Sequence, residues 1–166
     1  MIEQIRGLPE LRVKLTRFTP ETERQSQIAM RATVDTVQLQ VAARAPVGIT
    51  GDLRKGVLTS VHGNIIWGLQ GRVHEVMPYG EVVEFGRRPG GKQPPTGPIE
   101  FWVIRKGLAA AGPESRSVAF LIARAIGRRG TIGDHMFEKG FDASRAALDR
   151  IWSRVLGAAL QNTRLS

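Results

Sequence analysis

Apolar positions along the chain fall into three kinds of pattern. From about residue 20 to Pro46 they recur at helical spacing. Met30, Val34, Val37, Val41 and Ala45 follow one another in steps of four, three, four and four, which places them on one stripe of a helix. Thr19-Pro20-Glu21 supplies a start signal of hydroxyl cap, proline at the first helical position and an acid in the first turn. Pro46 supplies the stop, because the residue before a proline avoids the helical region. A helix of about 25 residues is about 37 Å long and would cross a small domain from side to side. Residues 1–18, broken by Pro9, read as a short lead-in.

After the turn-rich connector GITGDLRKG at 48–56, the pattern changes to short runs of β-branched and aromatic residues at 57–61, 65–69 and 72–76. Gly63-Asn64 and Gln70-Gly71 stand at the breaks, and such short connections predict an antiparallel meander. Residues 79–85 fit either a strand or a short helix. The stretch GRRPGGKQPPTGP at 86–98 holds four of the nine prolines and predicts a long projecting loop. Helical spacing returns at 99–106, with Phe101, Trp102 and Ile104. It continues from Ser115, with Val118, Leu121, Ile122, Ala125 and Ile126, up to Gly127 and Gly130. A last helix from about 141 to 160 carries Leu148, Ile151, Trp152, Val155 and Ala159 on its stripe. The expected fold is α+β: a single domain over residues 1–166, with a long N-terminal helix packed on a small antiparallel sheet and further helices in the C-terminal half.

Composition supports a packed domain. The 166 residues are 42% hydrophobic and 23% charged, and the chain can bury about two-thirds of its unfolded surface. Cysteine is absent, which excludes disulfides, thiolate metal sites and a thiol nucleophile. Apolar runs are far shorter than the ~20 residues of a membrane span, and residues 1–17 mix charges throughout. The expectation is a soluble protein on the cytoplasmic side. Net charge is +9, and residues 104–166 hold 11 Lys+Arg against 5 Asp+Glu. Such a balance suits a polyanion or an acidic protein partner, and it equally suits a merely solvated surface.

Catalytic chemistry has little to stand on. His62, His74 and His135 are scattered and show no metal-ligand spacing. The segment GRRPGGKQ at 86–93 has phosphate-loop spacing, but Gln93 replaces the magnesium-binding hydroxyl. Pro94-Pro95 also block the helix that such a loop must open. Glu81 and Glu84 can share a helix face, where a structural role outweighs an acid/base one. Arg124, Arg128 and Arg129 form a basic helix end without accompanying aromatics, so a solvated face is expected there. No enzyme, cofactor or metal site is expected.

Four segments in order carry a resemblance. They are Ala45-Pro46 with Thr50-Gly51-Asp52-Leu53-Arg54; Tyr79-Gly80-Glu81-Val82-Val83-Glu84-Phe85-Gly86; the stretch WVIRKG at 102–107 with VAFLIARAI at 118–126; and RGTIG at 129–133 with MFEKGF at 136–141. Together, over about residues 20–160, the chain resembles the tail-completion (neck, head–tail joining) proteins of long-tailed bacteriophages and their prophage relatives. It departs from them at Gly80, where alanine is usual, and at Arg87, where threonine is frequent.

The resemblance implies a structural virion protein, present in the host cytoplasm during assembly. It implies a homo-oligomeric ring, commonly six-fold, around the DNA channel between head-connector and tail proteins, without catalysis. A tail-terminator ring of the same junction and a small basic nucleic-acid-binding protein are the alternatives. Thr50, Gly51, Leu53, Arg54, Tyr79, Glu84, Phe85 and Gly86 are then structural, with Leu53 and Phe85 buried where the helix and sheet exit. Arg87, Arg88 and Lys92 are the candidate interface to an acidic neighbour, on a loop that its prolines stiffen before docking.

Overall fold

The computed structural model describes residues 20–48 and 50–164, with side chains as far as residue 158. The lead-in at 1–18, the Thr19 cap and the Ala159 side chain lie outside the described residues. Helix α1, Pro20–Arg44, begins on the proline with Glu21 and Glu23 in its first turn and closes on Arg44. It buries Ser26, Ala29, Val34, Val37 and Val41, and Met30 is half-buried beside them. A single helical turn, α2 (Asp52–Lys55), follows Gly51 in the left-handed region at φ +70°.

Strands β1 (Val57–Asn64) and β2 (Gly68–Glu75) pair antiparallel from Val57 opposite Glu75 to Asn64 opposite Gly68. Of the three predicted strands, the middle one at 65–69 does not form. Residues 65–67 are the turn of the hairpin. Asn64 decides this: its side-chain oxygen accepts the N–H groups of Ile66 and Trp67 at 3.0 and 2.9 Å, which closes the turn. The break expected at Gln70-Gly71 lies inside β2. Gly71 is there for contact, since a Cβ would stand 2.5 Å from Val34 Cγ1 and 2.7 Å from Met30 Sδ of α1.

The ambiguous segment resolves as helix α3 (Gly80–Phe85), followed by the two-residue strand β3 (Gly86–Arg87). Helix α4 (Thr96–Arg105) starts earlier than its spacing suggested and takes the last three residues of the predicted loop. Helix α5 (Pro113–Arg129), strand β4 (Thr131–Ile132) and helix α6 (Met136–Arg164) complete the chain. β3 pairs antiparallel with β4, Gly86 opposite Ile132 and Arg87 opposite Thr131.

α1 lies between α6 and the β1–β2 hairpin and makes its largest contacts with them. Gly140 of α6 lets the two long helices touch, for a Cβ there would come within 2.8 Å of the Val41 backbone. Trp152 Nε1 donates to Thr33 Oγ1 at 3.1 Å further along. The core joins Val37, Val41, Ala45, Leu53, Val57 and Met136, with Val73, Met77, Val83, Phe137 and Leu148 against it. The architecture is α+β, a long N-terminal helix on a small two-stranded antiparallel sheet with further helices after it. Among the described residues, no helix is long and apolar enough to cross a membrane.

Helices α4 and α5 form an arm whose principal contact is within itself. The apolar stripe expected on α5 is half-buried at Val118, Ile122 and Ile126 but is not the helix's most buried face. The buried row is Ser115, Ala119, Ala123 and Gly127, at strict four-residue spacing, while Leu121 is 60% exposed. Small side chains let a neighbouring backbone come close, so this row, rather than the bulkier one beside it, sets the packing face. Ser115 ties the arm together. Its hydroxyl donates to Glu100 of α4 at 2.9 Å and accepts the Gly112 N–H at 3.1 Å.

Candidate interaction interface

The Thr50–Arg54 turn closes the end of α1. Gly51 turns the chain and Leu53 enters the core. Arg54 Nη2 donates to the carbonyls of Ala43 and Ala45, both at 3.3 Å. A guanidinium on the last carbonyls of a helix satisfies orphan acceptors and meets the negative end of its dipole. Thr50 is exposed, and its carbonyl accepts from Lys55 Nζ at 3.4 Å.

Tyr79 and Glu84 bracket α3. Tyr79 is exposed, and its hydroxyl pKa is raised by partial burial and then by the charges of Asp52 and Glu75. Glu84 is buried at 7% exposure, and its carboxylate accepts the N–H of Phe137 in the first turn of α6 at 3.0 Å. Its own carbonyl accepts from His135 at 3.1 Å, and the Val83 carbonyl accepts from Asp134 at 2.7 Å. His135, just before α6, sits at φ +52°, and the carboxylate that accepts this first-turn N–H comes from α3.

Phe85 is not buried as expected; it is 70% exposed. α3 turns Gly80 and Glu84 inward, and the next residue lies about 100° further round the helix. Gly86, at φ +75°, meets β4 so closely that a Cβ would overlap the Thr131 carbonyl oxygen. Gly133 meets the Glu84 carbonyl in the same way. The second and fourth of the four motif segments are thus one structural joint, through which α3 holds the start of α6.

Arg87 is half-buried in β3, and Arg88 and Lys92 are exposed. The loop that carries them does not stand free. Its backbone from Arg87 to Gln93 lies against Gly127 and Gly130 at the end of α5. No helix starts within the phosphate-loop-like segment 86–93. Among the described residues, no three His, Asp or Glu side chains are grouped to hold a metal.

Two apolar surfaces escaped the sequence reading. Phe101, Trp102, Ile104 and Leu121 are exposed on the α4–α5 arm, although their helical spacing suggested packing, and Leu108 and Phe120 are exposed there too. Arg105 lies over the Phe101 ring at 5.2 Å. The second surface is the hairpin tip, Ile65-Ile66-Trp67, with Trp67 at 87% exposure. The tip is braced from α1. Glu23 accepts the Ile65 N–H at 2.9 Å, and Gln27 donates to the Gly63 carbonyl at 2.9 Å. The glycines flanking 64–67 were the available signal for a turn there. No family model matches the chain, and neither a curated protein nor a solved structure matches it.

Proposed function

We propose that this chain is a structural subunit of the phage neck or tail end. Copies of it form a ring that joins tail to head around the DNA channel. The observation that supports this best is the pair of exposed apolar groups among the described residues. One is the arm, which packs mainly on itself; the other is the braced hairpin tip. Contiguous exposed apolar area usually marks a protein contact. A ring needs two different surfaces that meet head-to-tail, because such a heterologous contact closes around an axis at the right rotation. The motif residues act within this reading as joints. Arg54 closes α1, and Glu84 with Gly86 and Gly133 couples α3 to α6, so the surfaces keep a fixed relation to one another.

The same surfaces would serve a tail-terminator ring, and position in the assembled particle separates the two roles. The direct test is electron microscopy of assembled particles, with mass measurement of the purified chain over a range of concentrations. A closed ring at the head–tail junction is the expected result. Infectious particles lacking the chain would refute the proposal. Trp67→Ser combined with Ile66→Ser should weaken self-association without lowering the melting temperature, since both side chains face solvent.

A further inference from the structure

Six cations from two distant stretches of sequence are brought to the C-terminal end of α5, where the loop and the helix form a seam. Arg87, Arg88 and Lys92 lie on the loop, and Arg124, Arg128 and Arg129 lie in the last two turns of α5. Two glycines bring the stretches together. At Gly127 a Cβ would stand 2.8 Å from Gln93 Cγ and 3.4 Å from the Gly91 carbonyl oxygen. At Gly130 it would stand 2.9 Å from the Pro89 nitrogen and 3.0 Å from the Arg88 carbonyl carbon. The loop backbone therefore runs along the end of the helix. Five of the six side chains are exposed and Arg87 is half-buried. The ion pairs among the described residues all lie elsewhere, so none of the six has a carboxylate partner.

Most of the chain's net charge falls in the loop and the arm. Residues 86–129 hold nine Lys+Arg against two Asp+Glu. The other described residues hold eleven of each. The two acids of the segment, Glu100 and Glu114, sit at the far end of the arm. Glu114 opens α5 and Glu100 bonds Ser115 of its first turn, about 20 Å by helix rise from Arg128. Like charges held together without a counter-charge raise the energy of the fold, and the helix C-terminus returns only about half a charge. An external anion offsets that repulsion.

We propose that this seam binds the phosphate backbone of double-stranded DNA. Five of the six cations are arginines, whose planar forks suit phosphate oxygens. The loop and the last two turns of α5 offer no exposed large apolar side chain. The loop reads RRPGGKQPP, and between Arg124 and Arg128 the helix adds Ala125, the half-buried Ile126 and Gly127. Protein docking relies on a buried apolar or aromatic anchor, and the arm's own candidates, Phe120 and Leu121, stand about 10–12 Å by helix rise from Arg128. DNA supplies one charge per ~1.7 Å of axis and needs no such anchor. Binding here is independent of base sequence, and it does not require the chain to form a ring.

The test is fluorescence anisotropy of a labelled 30-bp mixed-sequence duplex with the full chain, titrated between 50 and 200 mM NaCl. Each phosphate contact contributes about 0.9 to the slope of log K against log salt, so a slope of about −4 to −5 is expected. Arg124→Gln/Arg128→Gln/Arg129→Gln should weaken binding at least about tenfold at 100 mM salt and reduce the slope by about 2 to 3. Arg87→Gln/Arg88→Gln/Lys92→Gln should do the same. Arg145→Gln/Arg150→Gln/Arg154→Gln removes the same charge from α6 and should leave the slope within about one. Circular dichroism checks folding. If a triple variant does not fold, the single changes Arg88→Gln and Arg128→Gln replace it, each costing about one in slope. Absence of DNA binding by the folded wild-type chain at 50 mM salt overturns the proposal. Equal loss in the α6 variant overturns it too. So does competition by poly-glutamate as effective, charge for charge, as unlabelled DNA, which would assign the seam to an acidic protein.

Discussion

Replacing Glu84 with alanine should destabilise the protein through a helix more than fifty residues away. The Glu84 carboxylate accepts the Phe137 N–H at 3.0 Å from a site only 7% exposed. Alanine would leave a first-turn amide of α6 without an acceptor in a place that water reaches poorly. Loss of a capping side chain costs about 0.5–2 kcal/mol. A buried donor left unpaired costs about 1–3 kcal/mol. These are two descriptions of one event and do not add, so the expected loss is about 2 kcal/mol. For a domain of this size each kcal/mol lowers Tm by about 2–4 °C, hence a fall of about 4–8 °C. Glu84→Gln keeps an acceptor and loses only the charge at the helix N-terminus, about 0.3–1 kcal/mol. Calorimetry or circular dichroism should therefore rank the melting temperatures wild type, Gln, Ala. Hydrogen exchange adds a local readout: the Phe137 amide should lose protection in the alanine variant. An alanine variant melting within about 1 °C of wild type would refute the capping argument. So would a glutamine variant as unstable as the alanine one.

Gly86→Ala should cost at least about 2 kcal/mol in chemical unfolding, because φ is +75° and the new methyl would overlap the Thr131 carbonyl oxygen. Leu53→Ala, in the core, should cost about 2–5 kcal/mol, whereas Phe85→Ser should stay within about 0.5 kcal/mol; equal losses would contradict their assigned burial. Acidification should loosen the N-terminal end of α1 and the hairpin tip. The bonds from Arg24 and then Gln25 lower the Glu21 pKa to about 2. The bonds from Gln27 and then the Ile65 N–H lower that of Glu23 as well. Carboxylates with depressed folded-state values stabilise the fold above their unfolded pKa and lose that contribution as pH falls through the folded one. The Ile65 amide, held by Glu23, should therefore exchange progressively faster, relative to its intrinsic rate, as pH falls below the ordinary carboxylate range.

Periodicity, caps and prolines are local signals, and they determined what local physics can. The stripe and stop of α1, the Pro/Gly character of the loop, the late helices and the α+β class were all legible in the residues themselves. Leu53 was legible for the same reason, since it is an apolar residue on a short turn beside the long helix. Burial that depends on a partner distant in sequence was decided by tertiary structure. The packing face of α5 is Ser115, Ala119, Ala123 and Gly127, because close approach of backbone outweighed side-chain size. Phe85 faces solvent because Glu84 is committed to the start of α6. The run Ile65-Ile66-Trp67 had strand composition and became a turn, because Asn64 and the brace from α1 held its backbone there. The cationic loop came to lie against the basic end of α5 only when Gly127 and Gly130 admitted its backbone. A side chain's type fixes what it can do locally; which neighbour it meets is settled by the geometry of the closed chain.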